Sequence, residues 1–204
     1  MGCAHSAPDL NVIEMKILSL TSLASIFLLG SLSAVAPDHW IRTEEARTIK
    51  TDTEELIHHG AWQSADSTVT VIVVNVGPVK TTKDLRERGA GMMSGVMRSG
   101  IFPLAFESSS DPHPTLILRG QAEHQGIEYF QDTYAVLTQS GLMMIKVSGM
   151  KKEIPFEISE WDLGSAVMDK EKLYLEEMKG LTTNLNKEIV KFRDLVTGAR
   201  NAKK

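Results

Sequence analysis

The sequence has one cysteine, Cys3, few aromatic residues (6%) and no surplus of either charge, with 22 Lys and Arg against 26 Asp and Glu. A lone thiol near the N-terminus excludes a disulfide scaffold. Near-balanced charge removes the basic footprint of a general nucleic-acid binder. There is no internal repeat and no low-complexity tract, and a hydrophobic content of 42% argues against a wholly disordered chain. An HExxH spacing and a G-x-S-x-G elbow are also missing, so no catalytic motif is legible.

What is present begins with an export signal. No charged residue falls between Ile17 and Pro37, a stretch that follows Lys16 and ends in Ser33-Ala34-Val35-Ala36. A basic start, a short apolar centre and a small-residue exit describe a secretory signal peptide. The centre, Ile17–Leu29, is about 13 residues, short of the roughly 20 that span a bilayer. Pro37 hinders cutting directly after Ala36, which leaves cutting after Ser33 open. Asp9 and Glu14 are unusual ahead of such a segment, and translation from Met15 would give an ordinary start. Residues 1–36 are therefore read as N-terminal extension and signal peptide, 37–168 as an α+β domain, and 169–204 as a C-terminal amphipathic helix. Two alternatives stay open. One is an uncleaved anchor through residues 17–36. The other is acylation, because Met1-Gly2-Cys3-Ala4-His5-Ser6 fits the myristoylation pattern with Cys3 placed for palmitoylation. Without residues 1–36 the chain is cysteine-free with net charge −3, which suits a periplasm or cell exterior.

Along the folded part, residues 43–59 lean helical, with capping-box spacing at Thr51-Asp52-Thr53-Glu54 and a stop near Gly60. Ser67–Val76 is β-branched, closes in Gly77-Pro78, and reads as a strand buried on both faces. Leu85, Gly89, Met92, Met93, Val96 and Met97 recur at helical spacing and predict a helix over Thr82–Arg98. Strands follow at Ile101–Glu107, Thr115–Ala122, Ile127–Thr138 and Leu142–Ser148, the last two joined by a hairpin at Gln139-Ser140-Gly141. From Asp169 the stripe Tyr174, Met178, Leu181, Leu185, Ile189, Phe192 and Val196 predicts an amphipathic helix packed on the domain. The fold class expected is α+β: an antiparallel sheet of about four to six strands with helices on one face.

This order runs from a Val-rich strand ending in Gly77-Pro78, through a helix, to Gly126-Ile127-Glu128-Tyr129-Phe130, the hairpin at Gly141-Leu142 and a final helix. Over residues 66–196 it resembles the PsbP-like family of exported α+β domains. The family's opening strand pair has no clear counterpart, since only Asp38-His39-Trp40 could stand in for it. The resemblance implies an accessory or assembly factor without catalysis.

Few residues suggest chemistry. Gly89-Ala90-Gly91-Met92-Met93-Ser94 begins like a dinucleotide fingerprint, but it falls inside the predicted helix instead of at a strand-to-helix turn. It reads as a small-residue face that brings the helix near the sheet. His58 and His59 are adjacent and would point about 100° apart on a helix. Asp111, His113, Glu123, His124 and Glu128 form a loose group, from which His113, His124 and Glu128 are the candidates for a zinc or hydrolase site. Solvated turn residues are the plainer reading. Met92, Met93, Met97, Met143, Met144, Met150, Met168 and Met178 are taken as core, with a ligand pocket or soft copper as the alternative. Residues 170–204 carry net charge +4 against −7 for 37–169, and Arg193, Arg200, Lys203 and Lys204 gather at the end. Such a helix either packs on the domain or rests on an anionic membrane or partner.

The expectation is an exported non-catalytic binding or accessory domain of the envelope or periplasm, with a protein or lipid partner, no nucleic acid and no cofactor. A small exported hydrolase or metal enzyme using His113, His124 and Glu128 is the first alternative. A membrane-tethered structural protein is the second.

Overall fold

The Val-rich segment becomes β4 (Val69–Asn75) and lies inside an antiparallel sheet. In the computed structural model the described residues are 34–50, 55–150, 152, 154–167 and 171–201. They belong to a compact unit that begins at Ala34. Its strands are β1 (Trp40–Glu44), β2 (Arg47–Lys50), β3 (Glu55–Ser64), β4, β5 (Phe102–Ser109), β6 (Thr115–His124), β7 (Ile127–Thr138) and β8 (Gly141–Gly149). Two helices accompany them, α1 (Thr82–Arg98) and α2 (Glu171–Asn201). The sheet order is β1-β3-β4-β8-β7-β6-β5, with β2 beside β1 on the same edge of β3.

The sheet has eight strands, more than the four to six expected. The additional strands lie in the segment expected to be helical. The capping-box residues Thr51–Glu54 are outside the described residues, but the flanking chain forms β1, β2 and β3. Tertiary pairing overrides local helix propensity here, because β4 needs a hydrogen-bonding partner on its second edge and β3 supplies it from Ile57 to Gln63. Gly60, expected to stop a helix, instead sits at a bulge in β3 with φ +148°. A Cβ there would come within 2.9 Å of the Glu44 carbonyl oxygen and of the Trp62 ring.

Both helices pack on one face, as the pattern predicts. Leu85, Met92 and Val96 of α1 and Tyr174, Met178, Leu181, Leu185 and Ile189 of α2 join Phe106, Leu116, Leu118, Leu137 and Leu142 in one core. Thr81 and Asp84 cap α1 reciprocally: Asp84 N–H donates to Thr81 Oγ1 at 3.2 Å, and Thr81 N–H donates to Asp84 Oδ2 at 2.9 Å. The two helices are tied by Arg86 Nε and Glu177 Oε1 at 3.1 Å. Edge strand β5 is protected by Asn186 of α2, which accepts from Phe106 N–H at 2.7 Å and donates to its carbonyl at 2.9 Å.

The opposite face is aromatic. Trp40, Trp62, Phe156 and Trp161 pack there with Tyr134 and the valines of β4, held by the irregular segment 154–163. Residues 34–40 lie in this layer too, and Val35 and Asp162 exchange two backbone hydrogen bonds of 3.0 Å. The strand β4 thus alternates, with Val69, Val71 and Val73 buried in the aromatic layer and Thr70, Ile72 and Val74 only half-buried. Burial on both faces was the expectation, and it fails because the helices do not cover this part of the sheet. They sit over β5 and β6. Among the described residues no helix is long and apolar enough to cross a membrane.

Candidate functional site

The uncovered part of the helix-side face is the floor of an open groove of about 830 Å³. Ile72 and Val74 of β4, Met144 and Lys146 of β8, and Gln131 and Thr133 of β7 form that floor. Register sets the pattern: Ile72 lies opposite Lys146 and Lys146 opposite Thr133, while Val74 lies opposite Met144. Opposed residues of an antiparallel pair point to one face. Helix α1 is the wall, presenting Met92 and Val96 with Gly91 and Gly95 beside them. A Cβ on Gly91 or Gly95 would meet nothing within 4 Å, so these glycines keep the wall shallow and the groove wide. Gly89, on the same helix, is different. Its Cβ would lie 3.3 Å from Leu116, which is the close helix–sheet approach expected of the small-residue face.

Most charged groups along the groove are already engaged. Asp84 caps α1, and its carboxyl is held below the ordinary value by hydrogen bonds from the Lys80 and Thr81 backbone. Arg88 donates to the Val76 carbonyl at 3.0 Å, and Glu87 lies 3.8 Å from Lys83. Lys146 has no ion-pair partner among the described residues, and it stands on the floor between Ile72 and Thr133, beside the apolar patch of Ile72, Val74 and Met144. The groove can therefore hold an elongated apolar group and place one negative charge over a strand of the sheet's interior.

A second hollow, of about 660 Å³, opens on the aromatic side of the sheet around Arg119, Glu128, Asp132 and Lys152. Arg119 is fully occupied there, paired with Asp132 and, at 3.1 Å, with Glu107, and donating to the Tyr134 hydroxyl at 3.3 Å. Burial raises the Asp132 carboxyl above its usual range against the pull of Arg119. Burial, with Asp132 beside it, pushes Tyr134 up to about 12. This cluster consumes its own charges and reads as a cross-strand ion network.

The candidates named from sequence do not converge. His113 is buried in the loop before β6, and burial lowers its pKa against the opposing charge of Asp162. His124 ends β6, opposite Ile127, and Glu128 is exposed one position further on β7, accepting from Gln121 at 3.0 Å. The hairpin brings His124 and Glu128 to one end, and His113 lies at the other, roughly 30 Å away at about 3.3 Å per strand residue. Among the described residues no three His, Cys, Asp or Glu side chains gather as a metal site. His58 and His59 are strand residues at the β3 bulge, both buried. His58 Nε2 lies 3.3 Å from Glu44, and His59 Nδ1 accepts from Ala34 N–H at 3.4 Å.

The methionines divide between layers. Met92 and Met144 line the groove, Met143 packs in the aromatic layer, Met178 lies in the α2 core, and Met168 is outside the described residues. At the basic tail, Arg193 is exposed on α2, while Lys203, Lys204 and the Arg200 side chain are outside the described residues. Sequence reasoning missed Lys146, although a single lysine at alternating phase in an apolar strand was a visible signal.

No family model and no curated protein matches the chain. Among solved structures, one described as LpqN, involved in cell envelope biogenesis of Mycobacterium tuberculosis, aligns over 74% of this chain and 78% of its own. Identity is 12% and the TM-score 0.25. That likeness assigns no family. The functional reading rests on the groove.

Proposed function

We propose that the chain is an exported, non-catalytic accessory domain of the cell envelope that holds a lipid-like anionic amphiphile between α1 and the sheet. One observation carries this reading: an open groove whose floor sets the apolar patch of Ile72, Val74 and Met144 beside Lys146, a cation with no ion-pair partner among the described residues. An acyl chain would lie against Ile72, Val74, Met92 and Met144, and its acidic head would meet the Lys146 ammonium. The signal-like run after Lys16 supports export, and the resemblance to PsbP-like exported domains is part of the same reading.

The test is titration of the purified protein with a fluorescent long-chain fatty acid and with the alcohol of equal length. Lys146→Glu should weaken the acid about tenfold or more, since losing a charge-assisted hydrogen bond removes about 1.5–3 kcal/mol, and should leave the alcohol nearly unchanged. Gly95→Leu, whose side chain enters open space without a backbone clash, should fill the groove and weaken both. Failure of both probes to bind wild-type protein would overturn the reading.

A further inference from the structure

We infer that the chain is processed by hydrolysis of the Ser33–Ala34 peptide bond, so that Ala34 is the N-terminal residue of the exported protein. The inference rests on the export reading above and adds the position of the cut. By pattern alone Ala34-Val35-Ala36 offers the better exit, and cutting there would discard all three residues. In the fold those residues are structural. Ala34 is only 3% exposed and belongs to the core formed by Trp40, Trp62 and Trp161. Its N–H donates to Nδ1 of buried His59 at 3.4 Å. Val35 forms a two-bond antiparallel bridge with Asp162, the residue after Trp161.

A cut after Ala36 would remove one core side chain and both bonds of that bridge. It would also open the Asp162 backbone groups, at an exposed residue, and leave Nδ1 of the buried His59 without its partner, which is costly for a buried polar atom. Ser31-Leu32-Ser33 provides the small-x-small spacing that a signal peptidase reads, and it is followed by Ala34, where the later site is followed by Pro37. The enzyme acts before the exported chain folds, so the later burial of Ala34 does not obstruct it. In the reaction water adds across the bond: Ser33 takes the hydroxyl oxygen and leaves as a carboxylate, and the Ala34 nitrogen takes both protons of the water and becomes the α-ammonium. That ammonium keeps an N–H to offer His59 at the position the amide occupied.

The test is expression of the full chain in an exporting bacterial host, followed by intact mass measurement and N-terminal sequencing of the exported protein. The expected start is Ala34. In a Ser33→Leu variant, which places a large side chain at the cut and leaves Ala34-Val35-Ala36 untouched, uncut precursor should accumulate. A start at Val35, Ala36 or Pro37, or a Ser33→Leu chain processed as efficiently as wild type, would overturn the position while leaving export intact. A wild-type chain exported uncut from Met1, Gly2 or Met15 would overturn the position, and one that stays uncut in the cytoplasm would overturn the position and the export reading together.

Discussion

Glycines separate two kinds of constraint at the scale of single residues. Gly95 lies on the exposed side of α1, where an added Cβ meets nothing within 4 Å, so its only effect on the fold is to loosen the helix. Gly141 opens β8 with φ +125°, and a Cβ there would lie 2.5 Å from the Gly77 carbonyl oxygen. That oxygen is needed, because it accepts from Leu142 N–H at 2.9 Å and stitches the Gly77-Pro78 turn to the hairpin. The two positions should therefore respond with opposite sign. Gly95→Ala is expected to stabilise by about 0.5–1 kcal/mol through helix propensity. Gly141→Ala should cost about 2 kcal/mol or more through the strained backbone and the clash. Urea unfolding midpoints of the two variants check this, and a stable Gly141→Ala would show that the turn can relax. Both glycines stand out in the sequence as letters, but their roles do not, since the conformation and the neighbour are supplied by β4 and the turn.

The element whose sequence and structure agree best is α2. Its stripe from Tyr174 through Ile189 is buried at every expected position, because a period of 3.6 residues turns that spacing into one face whatever it packs on. The internal Gly180 and the Thr182-Thr183 pair, whose hydroxyls donate back to the Met178 and Lys179 carbonyls, leave the helix weak by itself. Packing must supply most of its order. Leu185→Ala should thus cost roughly 2–5 kcal/mol, read as a lower melting temperature with helix content falling together with the rest of the fold. An unmoved melting temperature would place the stripe on some outside surface instead. Beyond Ile189 the burial weakens: Phe192, 5.3 Å from Phe102, and Val196 are only half-buried. The stripe read from sequence is longer than the sheet under it, and the length of the sheet is not written in the helix.

At the scale of the whole molecule, three histidines give the fold a pH dependence. Burial lowers the pKa of His58, His59 and His113; Arg47 and Arg42 add to the effect on His58 against the pull of Glu44, His58 and Arg42 add to it on His59, and Asp162 opposes it on His113. Below about pH 6.5 the unfolded chain binds protons that the folded chain refuses. Stability should be level above neutrality and fall as the pH drops from about 6.5 toward the lowered folded values. Asp132 works in the opposite sense at lower pH, since its carboxyl is raised in the fold, so the histidine contribution is isolated by substitution. Urea midpoints between pH 7.5 and 5.5 should fall for the wild type and fall less steeply for His113→Leu; equal slopes would assign the dependence elsewhere. Periodicity and turn residues determined α1, the β5–β8 meander and α2, because each of those is decided by neighbours a few positions away. The strands β1 to β3 were decided by tertiary structure, because β3 pairs with the distant edge of β4 and β1 and β2 pair in turn with β3, so their backbone hydrogen bonds cross between strands instead of closing within a helix. The groove was decided the same way: its floor is written in β4, β7 and β8, but whether a sheet face is covered depends on where two distant helices come to rest, and no local pattern contains that.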